Sequence, residues 1–329
     1  MNMDLAFLAV VLATAFCLTS FAMPVVIRKM KSAGIVGHDV NKPGRPEVAE
    51  MGGLGIVMGV IGALLLAIAM HTFFGYALSL NDMMAAMLTM TIIALIGIFD
   101  DLFDMRQDVK ALLPMVAALP LVALAAVGST TIFVPFLGSL DFGIFYIIVL
   151  IPLGVTVASN LTNMLAGFNG MEAGMGAAIF AAVAVIAVAN GSVEAALIAV
   201  AMLGALLAFL RFNWYPARVF IGDIGTLLIG GALAASVIIG NFESVGAVLV
   251  VPYLADFVIK AANRFPRADG KCGEDGKLTP DGGKVKGLVH LVMKMSGGIT
   301  EKNLVRFFIA AEVLFALLAI FMYGKNLFL

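Results

Sequence analysis

Four groups of polar residues, set in an otherwise apolar chain, have the types and spacing that phosphate chemistry needs. The first is Asp100-Asp101-Leu102-Phe103-Asp104, followed by Arg106 and Lys110. Three carboxylates within five residues, beside a lysine, suit Mg²⁺ and phosphate. Such acids are costly at a membrane boundary unless paired, hydrated or bound to a cation. A solvated helix end with local charge pairing explains the same run about as well. The second group is Asn160 to Glu172, with Asn160, Asn163, Asn169, Gly167 and Gly170 and no Lys or Arg. Asparagine carbonyls can ligate Mg²⁺ and their amides can read a base edge. A tight turn uses Asn and Gly too, but does not need three asparagines at this spacing.

The third group, Arg211 to Asp223, holds the only tryptophan. Trp214 and Tyr215 read best as membrane-interface residues. Asp223 is different, because it opens an apolar helix beside Gly222. There the helix dipole stabilises a carboxylate and leaves it free to hold a metal; a helix N-cap is the competing explanation. The fourth group is a basic segment with Arg264, Arg267 and His290. Its guanidinium groups could clamp phosphates, although membrane topology alone accounts for most of its cations. The three histidines, His38, His71 and His290, are too scattered for zinc. No P-loop, Rossmann fingerprint or Gly-x-Ser-x-Gly elbow is present. Cys17 and Cys272 suggest neither a disulfide nor a metal framework.

The elements that must position these groups are membrane helices. Of 329 residues 62% are hydrophobic and 12% charged, against roughly 25% charged in a soluble domain. The apolar residues come in blocks long enough to cross a hydrocarbon core of about 30 Å as helix. The first, Leu5 to Val26, is too long for a signal-peptide core and reads as a retained span. Ten spans are predicted, over 5–26, 52–74, 83–99, 111–127, 143–159, 173–190, 194–211, 223–240, 245–262 and 303–323. This is an all-α polytopic membrane protein, one domain over 1–329, with a polar loop over 263–302 that caps the active site. Within that loop Lys284 to Lys294 reads as an amphipathic interfacial helix. Gly52, Gly53, Gly55, Gly59 and Gly62 suit close helix packing.

Nineteen of the twenty Lys and Arg fall in or beside the loops after spans one, three, seven and nine, and only Lys325 falls opposite. The positive-inside rule makes that face cytoplasmic and both termini external. All four polar groups lie on this same face.

In combination the motifs resemble a known family. Asp100-Asp101-x-x-Asp104, Asn160-x-x-Asn163 with Gly167-x-Asn169-Gly170, and Val219-Phe220-Ile221-Gly222-Asp223 occur in the order found in polyprenyl-phosphate N-acetylhexosamine-1-phosphate transferases of the glycosyltransferase 4 type. Asn163 to Gly174, Asn213 to Arg218 and Gly298 to Leu304 are most similar to the dolichyl-phosphate GlcNAc-1-phosphotransferase branch, which tunicamycin inhibits. The bacterial muramoyl-pentapeptide branch usually has acids where this chain has Ala166 and Asn169, and a histidine-rich motif absent here.

The resemblance implies a reaction in which a polyprenyl phosphate attacks the β-phosphorus of a UDP-N-acetylhexosamine and releases UMP. It implies Mg²⁺, with Mn²⁺ as an alternative, between Asn163 and Asp223. It gives Lys110 the lipid phosphate, Asp100 the role of base or acceptor organiser, and Asp101 a supporting place. Asn169 and Phe220 would hold the uracil, Arg267 and Arg264 the donor phosphates, and Glu50 the position of a donor-side acid. The implied partners are a UDP-sugar, a polyprenyl phosphate and the membrane, with no nucleic acid and room for a homodimer. The location would be a prokaryotic, archaeal-type plasma membrane, or the ER membrane in a eukaryotic cell. Two rival readings remain at this point. The aspartate-rich run alone would suit an intramembrane prenyltransferase, which needs a second such motif. A lipid-linked substrate transporter needs polar residues near mid-membrane, for which Glu312 is the one candidate.

Overall fold

In lipid, a backbone can satisfy its polar groups only within itself, and the long apolar runs of this chain close into helices accordingly. The computed structural model describes residues 4–125, 129–134, 137–266 and 268–323. Arg267 and Lys325, both assigned roles above, lie outside the described residues. Along the chain come α1 (Leu5–Ser32), α2 (Gly53–Phe74) and α3 (Leu80–Phe103). Three short helices laid end to end follow: α4 (Gln107–Leu112), α5 (Pro114–Ala117) and α6 (Leu119–Ala125). A π-helical turn, Tyr146–Leu150, leads into α7 (Ile151–Met164), then α8 (Met171–Ala189), α9 (Val193–Asn213) and α10 (Gly222–Ile239). Last are α11 (Glu243–Leu249), α12 (Val251–Ala262), the short α13 (Leu288–Met295) and α14 (Glu301–Tyr323).

Among the described residues nine helical segments are long and apolar enough to cross a membrane, and α11 with α12 brings the total to ten. The chain is a polytopic membrane protein. Its ninth crossing departs from the straight helix expected over 245–262, because α11 and α12 meet at a bend of 58°. Pro252, in the first turn of α12, supplies the cause. It has no N–H to donate, and its ring crowds the carbonyl four residues earlier. Pro114 interrupts the fourth crossing in the same way.

Three small sheets were not expected. Strands β1 (Val36–His38) and β2 (Glu47–Ala49) form an antiparallel hairpin, with Val36 opposite Ala49 and His38 opposite Glu47. Strands β3 (Thr131–Val134) and β4 (Gly138–Asp141) form a second, at the other end of the helices. Strands β5 (Gly270–Cys272), β6 (Lys277–Pro280) and β7 (Ile299–Thr300) form a sheet in that order, inside the polar loop over 263–302. The amphipathic helix of that loop starts later than expected, at Leu288. Its face of Val289, His290 and Met293 is buried.

Helix α10 runs through the centre of the bundle and is buried along nearly its whole length. Glycines let its neighbours approach to backbone distance. A Cβ at Gly97 of α3 would lie 2.4 Å from Ile224 Cα, and one at Gly53 of α2 would lie 2.4 Å from Gly225 N. The backbones of α2, α3 and α10 therefore touch next to Asp223. Further along α2, Gly55, Gly59 and Gly62 face Met23, Thr19 and Leu18 of α1 with no room for a side chain. The close packing expected of these glycines is what the fold contains.

Candidate active site

The first and third polar groups, 113 residues apart in sequence, meet at the ends of α3, α4 and α10. The ammonium of Lys110 is 2.5 Å from Asp100 Oδ2 and also pairs with Asp223 Oδ2. Asn163, at the end of α7, completes the arrangement. Its amide lies 2.9 Å from Lys110 Nζ, Asp223 Oδ1 and Thr226 Oγ1, and all three are satisfied when its oxygen faces Lys110. Three oxygens, from Asp100, Asp223 and Asn163, thus converge on one cation. They are hard donors of the kind Mg²⁺ accepts, and leave half of its six positions to waters and phosphates. No cluster of three or more His, Cys, Asp or Glu side chains suited to a metal occurs among the described residues. A divalent ion held here would therefore depend on the amide and on a bound anion. Lys110 has three protons and its ammonium sits among these three oxygens, so reaching an incoming phosphate means loosening at least one of these contacts.

The members of the cluster differ in access. The Asp223 side chain is 27% exposed and that of Asp100 only 6%, which makes Asp223 the more solvent-accessible of the two acids. Asp100 is fixed from behind by the Met105 N–H, 3.0 Å from its Oδ1. Asp104 does not join the cluster: it is exposed and ends α3 in the left-handed conformation. The three aspartates therefore do not act as one motif, which removes the main support for a prenyltransferase.

Asp101 does something the sequence did not indicate. Its Oδ1 accepts from the Asp223 N–H at 2.8 Å and its Oδ2 from the Ile224 N–H at 3.4 Å. It therefore caps α10 from another helix, taking the role considered for Asp223 itself. Gly222 is required for this, because its φ is +69° and a Cβ there would lie 2.5 Å from Asp101 Oδ2. Replacing Asp101 by Ala leaves two helix N–H groups without their acceptor. Loss of such a cap costs about 1–2 kcal/mol, and because the same turn carries Asp223, turnover should fall by roughly tenfold or more. Thermal denaturation in detergent and steady-state rates check this, and Asp101→Asn, which keeps an acceptor oxygen, should recover most of both.

A second buried polar network lies beside the first and was not anticipated. Lys42 pairs with Asp39 and, at 3.0 Å, with Glu301 Oε2. Asn169 donates from its N–H to Glu301 Oε1 at 2.8 Å and from Nδ2 to Asp39 Oδ2 at 3.0 Å. Asn41 bridges Gly167 O and Gly270 N, and Glu172 Oε1 accepts from Gly167 N–H at 2.6 Å. The loops after α1 and α7 are thereby tied to β5 and to the start of α14. Tyr215, expected only as an interface residue, presents its ring to Lys42 and Lys302, 4.6 and 4.8 Å from its centroid. The one sequence signal here was the density of polar groups in Asp39-Val40-Asn41-Lys42, of which only Lys42 had been counted, and only as a topology charge.

The other expected residues fall unevenly. Phe220 is fixed by its N–H to Ala49 O at 2.8 Å and by its carbonyl, which accepts from Gly52 N–H at 2.9 Å. Glu50 lies next to it, the two flanking Gly37. Arg264 is exposed just past α12, at a φ of +63°, and among the described residues no hydrogen bond or ion pair joins it to either network. His290 is not a phosphate clamp. It is fully buried, with Nε2 2.7 Å from Asp269 O and Nδ1 3.1 Å from Lys284 O, and so fastens the loop over 263–302 to itself. Asp256 pairs with Lys260 at 2.8 Å and accepts from the Leu288 N–H at 2.7 Å. Lys260 in turn donates to Met164 O, next to Asn163. Glu312 is fully buried on α14, with neither oxygen hydrogen-bonded.

Comparison with known proteins places the chain in a family. Residues 83–241 match the model of glycosyl transferase family 4, a stretch that holds Asp100, Lys110, Asn163 and Asp223. Two archaeal relatives, provisionally named UDP-N-acetylglucosamine–dolichyl-phosphate N-acetylglucosaminephosphotransferases, come from Saccharolobus solfataricus and Sulfolobus acidocaldarius. The first is 38% identical over 90% of each chain and the second 36% identical over 93% of each. The protein of that name from Dictyostelium discoideum is 27% identical over 87% of this chain and 81% of its own. With relatives this similar along nearly its whole length, the chain belongs to glycosyl transferase family 4.

Proposed function

We propose that the protein transfers N-acetylhexosamine-1-phosphate, GlcNAc-1-phosphate in the first instance, from a UDP-sugar to a dolichyl-type polyprenyl phosphate. The reaction leaves a sugar on a lipid pyrophosphate and releases UMP. An oxygen of the lipid phosphate attacks the β-phosphorus, and the bond from that phosphorus to the bridging oxygen breaks. The observation that carries this reading is the convergence of Asp100, Asp223 and Asn163 on a single cation at the polar ends of membrane helices. Phosphoryl transfer asks a protein mostly for positioning and charge neutralisation, and this cluster supplies both.

Mg²⁺ held by Asp223 and Asn163, with Asp100 nearby, would neutralise charge on the donor pyrophosphate. Lys110 balances the carboxylates and offers its ammonium to phosphate oxygens. Asp100 orients Lys110, and no base is required of it, because a lipid phosphate is largely ionised near neutral pH. The acceptor's chain has a place to lie. A cavity of about 280 Å³ is lined by Gly154, Val157 and Ala158 of α7, Leu233 and Val237 of α10, and Val250 at the bend. The same space is also lined by Ile132 of β3, Tyr146 and Glu243 at the other end of the helices, and Ala158, five residues or about 7.5 Å before Asn163 on the helix, is the part of its lining nearest the polar cluster in sequence. Ala166 and Asn169, where the muramoyl branch has acids, favour the dolichyl-type branch. The basic face, and the active site with it, is assigned to the cytoplasm of a prokaryotic cell, both termini lying outside.

Purified protein with Mg²⁺, UDP-GlcNAc and a polyprenyl phosphate is expected to yield UMP and an acid-labile lipid-linked sugar. Absence of UMP with every UDP-N-acetylhexosamine tried would end this reading. Tunicamycin should inhibit the reaction.

A further inference from the structure

Asn169 is buried, and its amide is not free to turn. Its Nδ2 donates to Asp39 Oδ2 at 3.0 Å. Asp39 is 3% exposed and paired with Lys42. An ionised carboxylate only accepts hydrogen bonds, so a flipped amide would set oxygen against oxygen in a buried place. Asn169 Oδ1 therefore turns away from Asp39, and no described group donates to it.

Asp39 continues strand β1. Its pairing with the β2 side carries on through Asp39, whose N–H donates to Pro46 O at 3.0 Å. In extended chain, residues two apart share a face, which places Gly37 and Asp39 together. At Gly37 that face has no side chain, and the Phe220 ring and Glu50 carboxylate fill in around it. A Cβ there would lie 3.3 Å from the ring and 2.3 Å from Glu50 Oε1. Two residues on, Asp39 holds Asn169. The Phe220 ring thus packs at the Gly37 position and the Asn169 amide is held at the Asp39 position, two residues or about 7 Å along the strand. A planar base stacked on the ring would bring its hydrogen-bonding edge to the amide.

We propose that Asp39 makes this site select uracil over cytosine, by locking Asn169 so that it offers the base only an acceptor. The inference rests on the UDP-sugar reading above and adds to it a specificity-determining residue that never touches the donor. Uracil presents a donor, N3–H, on its pairing edge. Cytosine presents an acceptor at N3 and moves its donor to N4. A fixed carbonyl oxygen therefore matches the first and opposes the second, whereas an amide free to flip would accommodate both.

The test is binding of UDP and of CDP to the full chain in detergent with Mg²⁺, by isothermal titration, which needs no turnover. Wild type is expected to prefer UDP by roughly tenfold or more, the effect of one mismatched buried hydrogen bond. Asp39→Asn, whose own amide can donate or accept, should bring the ratio close to unity. Asp39→Ser should do the same and serves if the first variant does not fold. Glu301→Gln perturbs the same charge network but leaves the Asp39–Asn169 bond, so it should keep the wild-type ratio. A ratio unchanged in both Asp39 variants, or one lost equally in Glu301→Gln, would overturn the role of Asp39 while leaving the UDP reading in place. Wild-type protein that binds neither nucleotide would overturn both.

Discussion

Asp223→Ala is expected to lower turnover by on the order of 10³-fold or more and to remove the Mg²⁺ dependence of donor binding. Asp223 is the cluster acid with the greatest exposure, and it stands in the first turn of α10 with its backbone N–H held by Asp101. That carboxylate is placed by two other helices and faces the side from which a pyrophosphate must arrive. Its contribution is charge in a fixed position, so Asp223→Asn should be nearly as inactive although it keeps the shape. Asn163→Ala, which removes the neutral oxygen on the same cation, should reproduce the loss of Mg²⁺ dependence. Titration of UDP-GlcNAc binding at several Mg²⁺ concentrations, beside steady-state rates, separates the metal role from general damage. Either variant turning over at the wild-type rate with unchanged Mg²⁺ dependence would remove the metal assignment.

How much of this could be read beforehand depended on the distance over which each feature is encoded. Span positions are local, set by runs of apolar residues, and they were legible. So was the gathering of polar residues at one end, because the loops alternate in charge along the chain. Asp100, Lys110, Asn163 and Asp223 were identified as chemistry-bearing, since their neighbours already looked out of place between apolar helices. What each does to the others was not legible. Asp101 and Asp223 are 122 residues apart, and only packing of α3 on α10 turns the first into a cap for the second. The Asp39–Lys42–Asn169–Glu301 network draws on three separated loops, and the members from the first and last were hidden among charges that topology already explained. The bend between α11 and α12 did have a local signal in Pro252, but a hydropathy run passes over a single proline. His290 was grouped with the basic segment by sequence position, and its burial and hydrogen bonds show it to be a fastening.

Lys110→Met should be inactive by a similar factor, on the order of 10³, but with a second signature that distinguishes it from every other variant at the site. In the wild-type protein the ammonium stands among oxygens of Asp100, Asp223 and Asn163. Methionine fills the same length and removes the charge, leaving two carboxylates facing one another in a mostly buried space. Breaking a buried pair by deleting one partner costs roughly 3–5 kcal/mol, reduced somewhat because Asp223 keeps partial access to water. The variant should therefore denature well below wild type when divalent ions are chelated. Mg²⁺ added back should raise its midpoint much more than it raises that of wild type, because the ion can take the position the ammonium has left. Ligand-induced stabilisation grows with the logarithm of free ion over dissociation constant, so a Mg²⁺ titration of the melting temperature measures the change directly. Equal shifts in Lys110→Met and wild type would mean that these oxygens do not form the ion's site. A larger shift in the variant, with turnover still absent, would show that Lys110 and a divalent ion compete for one position. Substrate binding would then have to draw Lys110 onto a phosphate before the ion could settle between Asp223 and Asn163.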